Sequence, residues 1–458
     1  MTDQFTSGGA AASADQIVAR IERLPPSRWS VRARIIVGSA TFFDGFDGLA
    51  LVYTLPALFP LWHLTPQRAG LLFTAGAIGQ MLGAAIFGRL AERWGRLPVV
   101  MLTIAIFSLG SLACAFAWNY ESMMALRFLQ GLGLGGQVPV AATYIAELSK
   151  APTRGKFVLV YEMLFAIGLF FCALIGAWVV PSFGWQYLFV IGAIPVLIPL
   201  FLRRSLLESP RWLVSQGRLA EAEQVVTRIE AAIVAEGKKL DEPVALPIRT
   251  RVEKAGLWDL FKGLYFSRTL LAWFTSFIIG FIAHGTTQWL PSLYRTVFHL
   301  DLATALRYGL VSSAAAMIGT VYVALLIDKL GRKTWFLINF IGGAAAFTTL
   351  YAVGAASATN LLIFASIAVL FAAPNVNMLY LFTPELFPTR LRSTGCGTSG
   401  VFLRLGNAAA PACVGFILAG AGINGVYLML AAVAVFAAVM MLIFGIETRK
   451  RVLEELSP

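Results

Sequence analysis

The chain has 458 residues, of which 58% are hydrophobic and only 13% charged, with a mean hydropathy of +0.76. Soluble domains carry about 25% charged residues, so these values argue against a soluble fold and point to a membrane protein. A net charge of +12 would fit nucleic acid or an acidic surface, but the basic residues gather between long apolar runs, where they hold membrane topology.

Residues 1–34 are polar, carry Arg20, Arg23, Arg28, Arg32 and Arg34, and show no cleavable signal. They read as a cytoplasmic arm. Apolar segments of membrane-spanning length follow near 35–60, 69–90, 97–117, 122–146, 157–180 and 186–203. Residues 204–268 break the pattern with a charged central loop whose stretch EAEQVVTRIEAAIVAEGKKLDEP reads as short amphipathic surface helices with some linker. Six further apolar segments lie near 269–291, 305–327, 335–355, 360–382, 394–419 and 423–446, and 447–458 form a tail. The expected architecture is all-α: twelve transmembrane helices in two six-helix halves, 35–203 and 269–446. With both termini inside, 31 of the 36 Lys and Arg residues fall on the cytoplasmic side, as the positive-inside rule requires. Arg127 and Arg404 are left within spans.

Cys114, Cys172, Cys396 and Cys413 each stand singly in apolar runs, and the three histidines form no ligand spacing. The cysteines read as small core residues. No metal, cofactor, nucleophile or phosphate-binding constellation is expected, so an enzyme has no support.

The halves share an internal repeat. GRLAERWGRLP (88–98) follows the second apolar segment and ALLIDKLGRK (324–333) the eighth, each with an acid, a base and then Gly-Arg at the same spacing. Two related halves around a central site is the arrangement of a secondary transporter.

At these motifs the chain resembles the major facilitator superfamily over essentially its whole length. The first motif copy is carried by Gly88, Leu90, Glu92, Arg93, Gly95 and Arg96, with Glu92 where the superfamily has aspartate. The second is carried by Asp328, Gly331 and Arg332, with Ala324 in the place of a glycine. The resemblance implies a cytoplasmic gate in which helices approach closely and charges pair. RFLQGLGLGGQVPV (127–140), LLESPRWL (206–213) and ETRKRVLEEL (447–456) fit the same superfamily. The sugar-porter glutamine motif is absent; HGTTQWLPSLY (284–294) and VYEMLFAIG (160–168) stand there instead. DGFD (44–47) and GLGLGG are similar to the aromatic-acid:proton symporters. IERLPPSRW (21–29), PVAATYIAE (139–147), YEMLFAIGLFFCALIGAWVVPSFGW (161–185) and PELFPTRLRSTGCG (384–397) look closer still to nicotinate-type (niacin) permeases and their synaptic-vesicle relatives. That branch implies a multi-pass plasma-membrane protein of the bacterial inner membrane, moving a small organic acid by alternating access, as a monomer, without nucleic acid.

Asp44 and Asp47, at i and i+3, share one face of the first span. Two desolvated carboxylates this close do not ionise together comfortably and titrate as a coupled pair, which suits proton coupling. Each also fits a structural bond to a neighbouring helix. In the aromatic-acid symporters, the resemblance implies, the matching acids are required. Arg127, Gln130, Leu134 and Gln137 recur on one helical face that should look into the bundle; Arg127 is either a charge partner of the acids or a structural arginine. Glu147 and Glu162 complete the proton-coupling candidates, Glu162 being either intramembrane or near the surface. Arg404 offers a fixed cation for a substrate carboxylate, or pairs with a helix-end carbonyl. Tyr53, Gln137, Tyr161, His284, Gln288, Trp289, Asn375, Asn377 and Tyr380 are candidates to line the pocket, each equally a core or interface residue on its own. Among them Asn375 and Asn377 follow Pro374, which frees backbone groups where a cavity is expected. The reading is a proton-coupled symporter of a hydroxybenzoate- or nicotinate-like anion. The alternatives are a sugar, polyol or organic cation carrier, or a sensor that binds without transport.

Overall fold

The structure, a computed structural model, describes residues 6–25, 27–148, 154–199, 206–243, 257–353 and 357–448. The apolar runs become helices because their backbone groups can be satisfied only internally once water is removed. The first half contains α2 (Arg28–Leu61), α3 (Pro66–Trp94), α4 (Arg96–Ala115), α5 (Tyr120–Glu147), α6 (Arg154–Phe183) and α7 (Gln186–Gly192), preceded by α1 (Thr6–Arg23). The central loop carries α8 (Pro210–Ser215) and α9 (Leu219–Ala235). The second half contains α10 (Leu264–Thr287), α11 (Leu290–Thr296), α12 (Leu302–Leu330), α13 (Arg332–Val353), α14 (Ala358–Ala372), α15 (Pro374–Glu385) and α16 (Thr389–Phe444).

Three boundaries differ from the sequence reading. The run expected at 186–203 is interrupted after Gly192 by a 3-10 turn, Ile194–Leu197, and is α-helical again at Ile198 and Pro199, because Pro195 lacks the N–H that an α-helix needs there. The run at 360–382 is divided at Ala373, immediately before Pro374. The seventh run extends beyond 291 through α11, after a break at Gln288 and Trp289. The last two runs are joined in α16 but change direction at Gly422, whose φ of 69° and ψ of −170° lie outside helical geometry.

The halves repeat one another in packing. In the first, α2 lies against α6, α3 against α5, and α4 against α7; in the second, α10 lies against α16, α12 against α14, and α13 against the far segment of α16. The α2–α6 seam needs glycine on both sides, since a Cβ on Gly45 would strike the Phe165 carbonyl and one on Gly168 the Phe42 carbonyl. Gly280 and Gly406 stand in the same relation at the α10–α16 seam, against Leu403 and Phe277. Such close backbone approach substitutes for a hydrophobic driving force between helices in lipid. Large apolar residues such as Leu109, Trp178, Phe416 and Leu442 are exposed around the outside, the surface expected for contact with acyl chains.

The described cross-half hydrogen bonds lie toward the end of the bundle remote from the termini. Thr74 donates to the Ala408 carbonyl at 2.8 Å, and the Tyr53 and Ser313 hydroxyls meet at 3.2 Å. Phe73 and Trp289 pack across the same seam with ring centroids 6.5 Å apart.

Candidate functional site

Asp47 is wholly buried in α2. Its Oδ1 lies 2.8 Å from the Ser111 hydroxyl of α4, which also reaches the Phe189 carbonyl of α7 at 3.0 Å. From α5, Arg127 donates to Gln130 Oε1 at 2.6 Å. Arg127 is an electrostatic neighbour of Asp47. The Gln130 amide nitrogen also approaches the carboxylate without closing a hydrogen bond. Gly192 closes the remaining side: a Cβ there would collide with both Asp47 Oδ1 and Ser111 Oγ. The absence of a side chain at this residue therefore leaves room for the carboxylate. Four helices of the first half thus converge on one buried acid.

Asp44 is buried one turn before it on the same helix. Gln137, also buried, donates to Thr41 at 3.4 Å, two turns from Asp47 along α2. Cys114 lies 3.9 Å from Gln130 Oε1, a small core residue beside the cluster; all four cysteines are free. Ser111 was not singled out from sequence. Its only local signal is a hydroxyl within an apolar run, and its partner is 64 residues away.

Glu147 does not join Asp47. The structure places it at the end of α5, where it pairs with Arg96 at 3.1 Å. Beside this pair Glu208 accepts the backbone N–H groups of Arg96 and Ser209 at 3.0 and 2.8 Å and that of Leu97 at 3.2 Å, covering the start of α4. Burial raises the Glu208 carboxyl above its usual range, against the opposing effect of those N–H bonds. The second half repeats the device. Glu447 accepts the Arg332 N–H at 2.9 Å, and Arg332 pairs with Glu385 at 3.2 Å. Gly95 and Gly331 hold φ of 107° and 94°, which L side chains rarely adopt. Two gate expectations differ from the structure. Gly88 has open space where a close approach was expected. Glu92 and Arg93 are exposed and form no ion pair among the described residues, the motif's charge pairing falling to Arg96.

The substrate candidates are dispersed. Arg404 is half-buried, and its hydrogen bond among the described residues stays on its own helix, at the Gly400 carbonyl, 3.4 Å away; no described contact links it to Asp47. Gln288 Oε1 and Trp289 Nε1, at the α10–α11 break, are buried and find no hydrogen-bond partner among the described residues, nor does Asn407 Oδ1, three residues from Arg404 on α16. Buried polar atoms left so are uncommon and fit groups that meet a ligand or water. His284 contacts the Gly280 carbonyl of its own helix at 3.3 Å. Tyr53 is a cross-half contact at the closed end. Asn375 bonds Asn339 at 2.9 Å and the Phe371 carbonyl at 3.1 Å, bracing the break before Pro374. Asn377 is half-buried and Tyr380 exposed. The side chains of Tyr161, Glu162 and Asp328 lie outside the described residues. Among the described residues no cluster of metal-binding side chains occurs.

Comparison with known proteins adds to this geometry. Residues 45–458 match the family described as sugar (and other) transporter. The chain is 33% identical to the niacin transporter NiaP of Acinetobacter baylyi over 96% of its own length and 99% of that protein. It is 32% identical to the 4-hydroxybenzoate transporter PcaK of Pseudomonas aeruginosa over 88% of each. Among solved structures a D-xylose-proton symporter superposes with a TM-score of 0.72 at 19% identity, covering 93% of this chain and 100% of that one. The chain belongs to the sugar (and other) transporter family of the major facilitator superfamily, and is a multi-pass membrane transporter, not an enzyme.

Proposed function

We propose that the protein is a proton-coupled symporter of a small organic anion, an aromatic or pyridine carboxylate such as a hydroxybenzoate or nicotinate. The observation that carries this reading is the buried Asp47, bonded to Ser111 and set beside Arg127. A carboxylate in low dielectric with a nearby cation has two competing neutral arrangements: the charged acid beside the cation, or a protonated acid with the cation balanced by a bound substrate anion. Taking up a proton at Asp47, with Asp44 one turn away, removes the negative charge beside Arg127 and leaves its field to the substrate anion. The similarity to transporters named for niacin and 4-hydroxybenzoate supports the substrate class, and Arg404 supplies a cation in the second half to receive a carboxylate.

In this proposal twelve spans cross the bacterial inner membrane with both termini in the cytoplasm, and the protein works as a monomer. The two halves rock about the central site to give alternating access. The arrangement described, joined at the end remote from the termini, is then open toward the cytoplasm. The Arg96–Glu147 and Arg332–Glu385 pairs brace each half at its cytoplasmic end.

The test is uptake of labelled nicotinate and 4-hydroxybenzoate into proteoliposomes under an imposed inward proton gradient. Accumulation that follows the gradient supports the proposal; uptake of both acids indifferent to the gradient defeats the coupling. Uptake of sugars or amines in preference would reassign the substrate class, and ligand-induced thermal stabilisation without flux would indicate a sensor.

A further inference from the structure

The chain enters the second half through a 3-10 turn, Leu257–Phe261, whose sequence LWDLF sets four large apolar residues around one acid. Gly263, with φ of 51°, turns the chain before α10 begins. The turn therefore hangs back along the helix it precedes. Phe261 meets Phe266 with ring centroids 6.4 Å apart and Trp273 at 5.6 Å. Trp273 lies about two and a half turns inside the helix that starts at Leu264. The join is fixed at its centre: Leu260 is wholly buried, and its carbonyl accepts the Thr269 hydroxyl at 3.0 Å.

The face of α10 beneath the turn is apolar and open. Phe266, Leu270, Trp273, Phe274 and Phe277 recur along it at helical spacing, and none is fully buried. Phe266 and Phe274 are exposed, as are Leu257, Trp258 and Leu264. Trp258 leaves 75% of its surface open, although its ring centroid is 6.0 Å from that of Phe261. The apolar span Leu264–Thr296 begins at this junction, so the open rings continue the surface that acyl chains cover. Lys262 and Asp259, paired at 2.7 Å, give the turn a polar edge. The junction lies at the end of the bundle that carries the C-terminus, since Arg268 donates to the Leu386 carbonyl at 3.0 Å and Thr448 to Glu385 at 2.5 Å.

We propose that the turn Leu257–Phe261 is an interfacial anchor, with Leu257 and Trp258 seated between the headgroups and acyl chains of the leaflet on the termini's side. An indole suits that boundary because its ring is apolar and its N–H takes a polar partner. Continuity with the stripe on α10 selects lipid over a soluble partner: a protein seated on Trp258 would have to enter the bilayer to cover the rest of the patch. Held there, the turn sets the depth of α10 through buried Leu260 and the Phe261–Trp273 contact, and so fixes the entry to the second half against the membrane.

The experiment uses the full-length protein in phosphatidylcholine nanodiscs, unmodified and with Trp258→Phe, and takes the difference in tryptophan fluorescence as the signal of Trp258. The acyl chains carry bromine near the headgroup in one set of discs, near the chain ends in a second, and none in a third. The difference signal should lose most of its intensity with bromine near the headgroup, much less with bromine near the chain ends, and little on adding iodide to the buffer. A signal quenched by iodide and by neither bromolipid places Trp258 in water and overturns the anchor. So does a signal that no quencher reaches, which would mark a surface covered by protein. Leu257→Trp in the Trp258→Phe background reads the neighbouring position in the same way. Bromine near the headgroup should quench the added indole, and quenching by iodide alone overturns the proposal.

Discussion

Ser111 reaches two acceptors at once: Asp47 Oδ1 at 2.8 Å and the Phe189 carbonyl at 3.0 Å. A hydroxyl has one proton to give, and the carbonyl has none. When Asp47 is ionised, Ser111 turns its proton to the carboxylate. When Asp47 is protonated, it can donate to Ser111, which then donates to Phe189. One hydroxyl therefore serves both states of the acid and transmits the difference to the α7 backbone. Ser111→Ala leaves Asp47 without this partner, at a cost of about 1–3 kcal/mol. Gradient-driven accumulation in proteoliposomes should fall sharply, while Ser111→Thr, which keeps the hydroxyl, should retain it. Asp47→Asn should abolish accumulation but leave counterflow exchange of substrate, measured without a gradient.

Gly192 faces that same pair with no room for a side chain. Gly192→Ala forces the α7 backbone away from Asp47 or displaces the carboxylate, an overpacking worth about 1–3 kcal/mol. Lower Tm and lost uptake are expected. Gly343→Ala is the control: a Cβ there meets nothing within 4 Å, and helix propensity favours alanine by about 0.5–1 kcal/mol. Its Tm and uptake should be unchanged or slightly better.

Among the described residues Arg404 hydrogen-bonds only within its own helix, so removing it breaks no described inter-helix bond. If it receives the substrate carboxylate, Arg404→Gln should raise KM for nicotinate at least tenfold with little change in Tm, and Arg404→Asp should abolish uptake. A variant with ordinary KM would detach the substrate from this residue.

What could be read from sequence divides by the range of the interaction. Asp44, Asp47, Arg127 and the two gate motifs stood out because a charge in an apolar run, or a repeated Gly-Arg, is a local anomaly. The helices followed from run length alone; errors fell at Pro195 and Pro374, where missing N–H groups divide a run whose composition looks continuous, and at the Gln288–Trp289 break. Ser111, Gly192 and the Arg96 partner of Glu147 depend on which helices lie side by side, and no local pattern carries that. The docking of α1 is a middle case. Ile17 and Ile21 already form an apolar stripe one turn apart, but only the fold shows that Trp212, Leu213, Ala222 and Val226 cover it.

That docked helix gives the clearest pH dependence. Glu230 of α9 accepts hydrogen bonds from Arg20 at 2.6 Å and Arg23 at 2.7 Å. Burial alone would raise its carboxyl, but the two arginines outweigh burial and hold it below the usual 4.5. A depressed carboxylate stabilises the folded form above 4.5, and the contribution is lost as pH falls through the lower folded-state value. Glu208 has the opposite sign. Its carboxyl is raised above 4.5, chiefly by burial, so its contribution is present below 4.5 and lost as pH rises through the higher folded-state value. Acidification through the folded-state value of Glu230, which lies below 4.5, should therefore release α1 from α9 while the Glu208 cap over α4 holds. Amide exchange should quicken over residues 14–23 and 222–234 and stay slow over 97–104. Glu230→Gln should show the loosened α1 already at neutral pH, with no further change on acidification. Exchange that quickens equally in α1 and α4 would mean that this whole end of the bundle opens together, and that Glu230 does not govern the clasp.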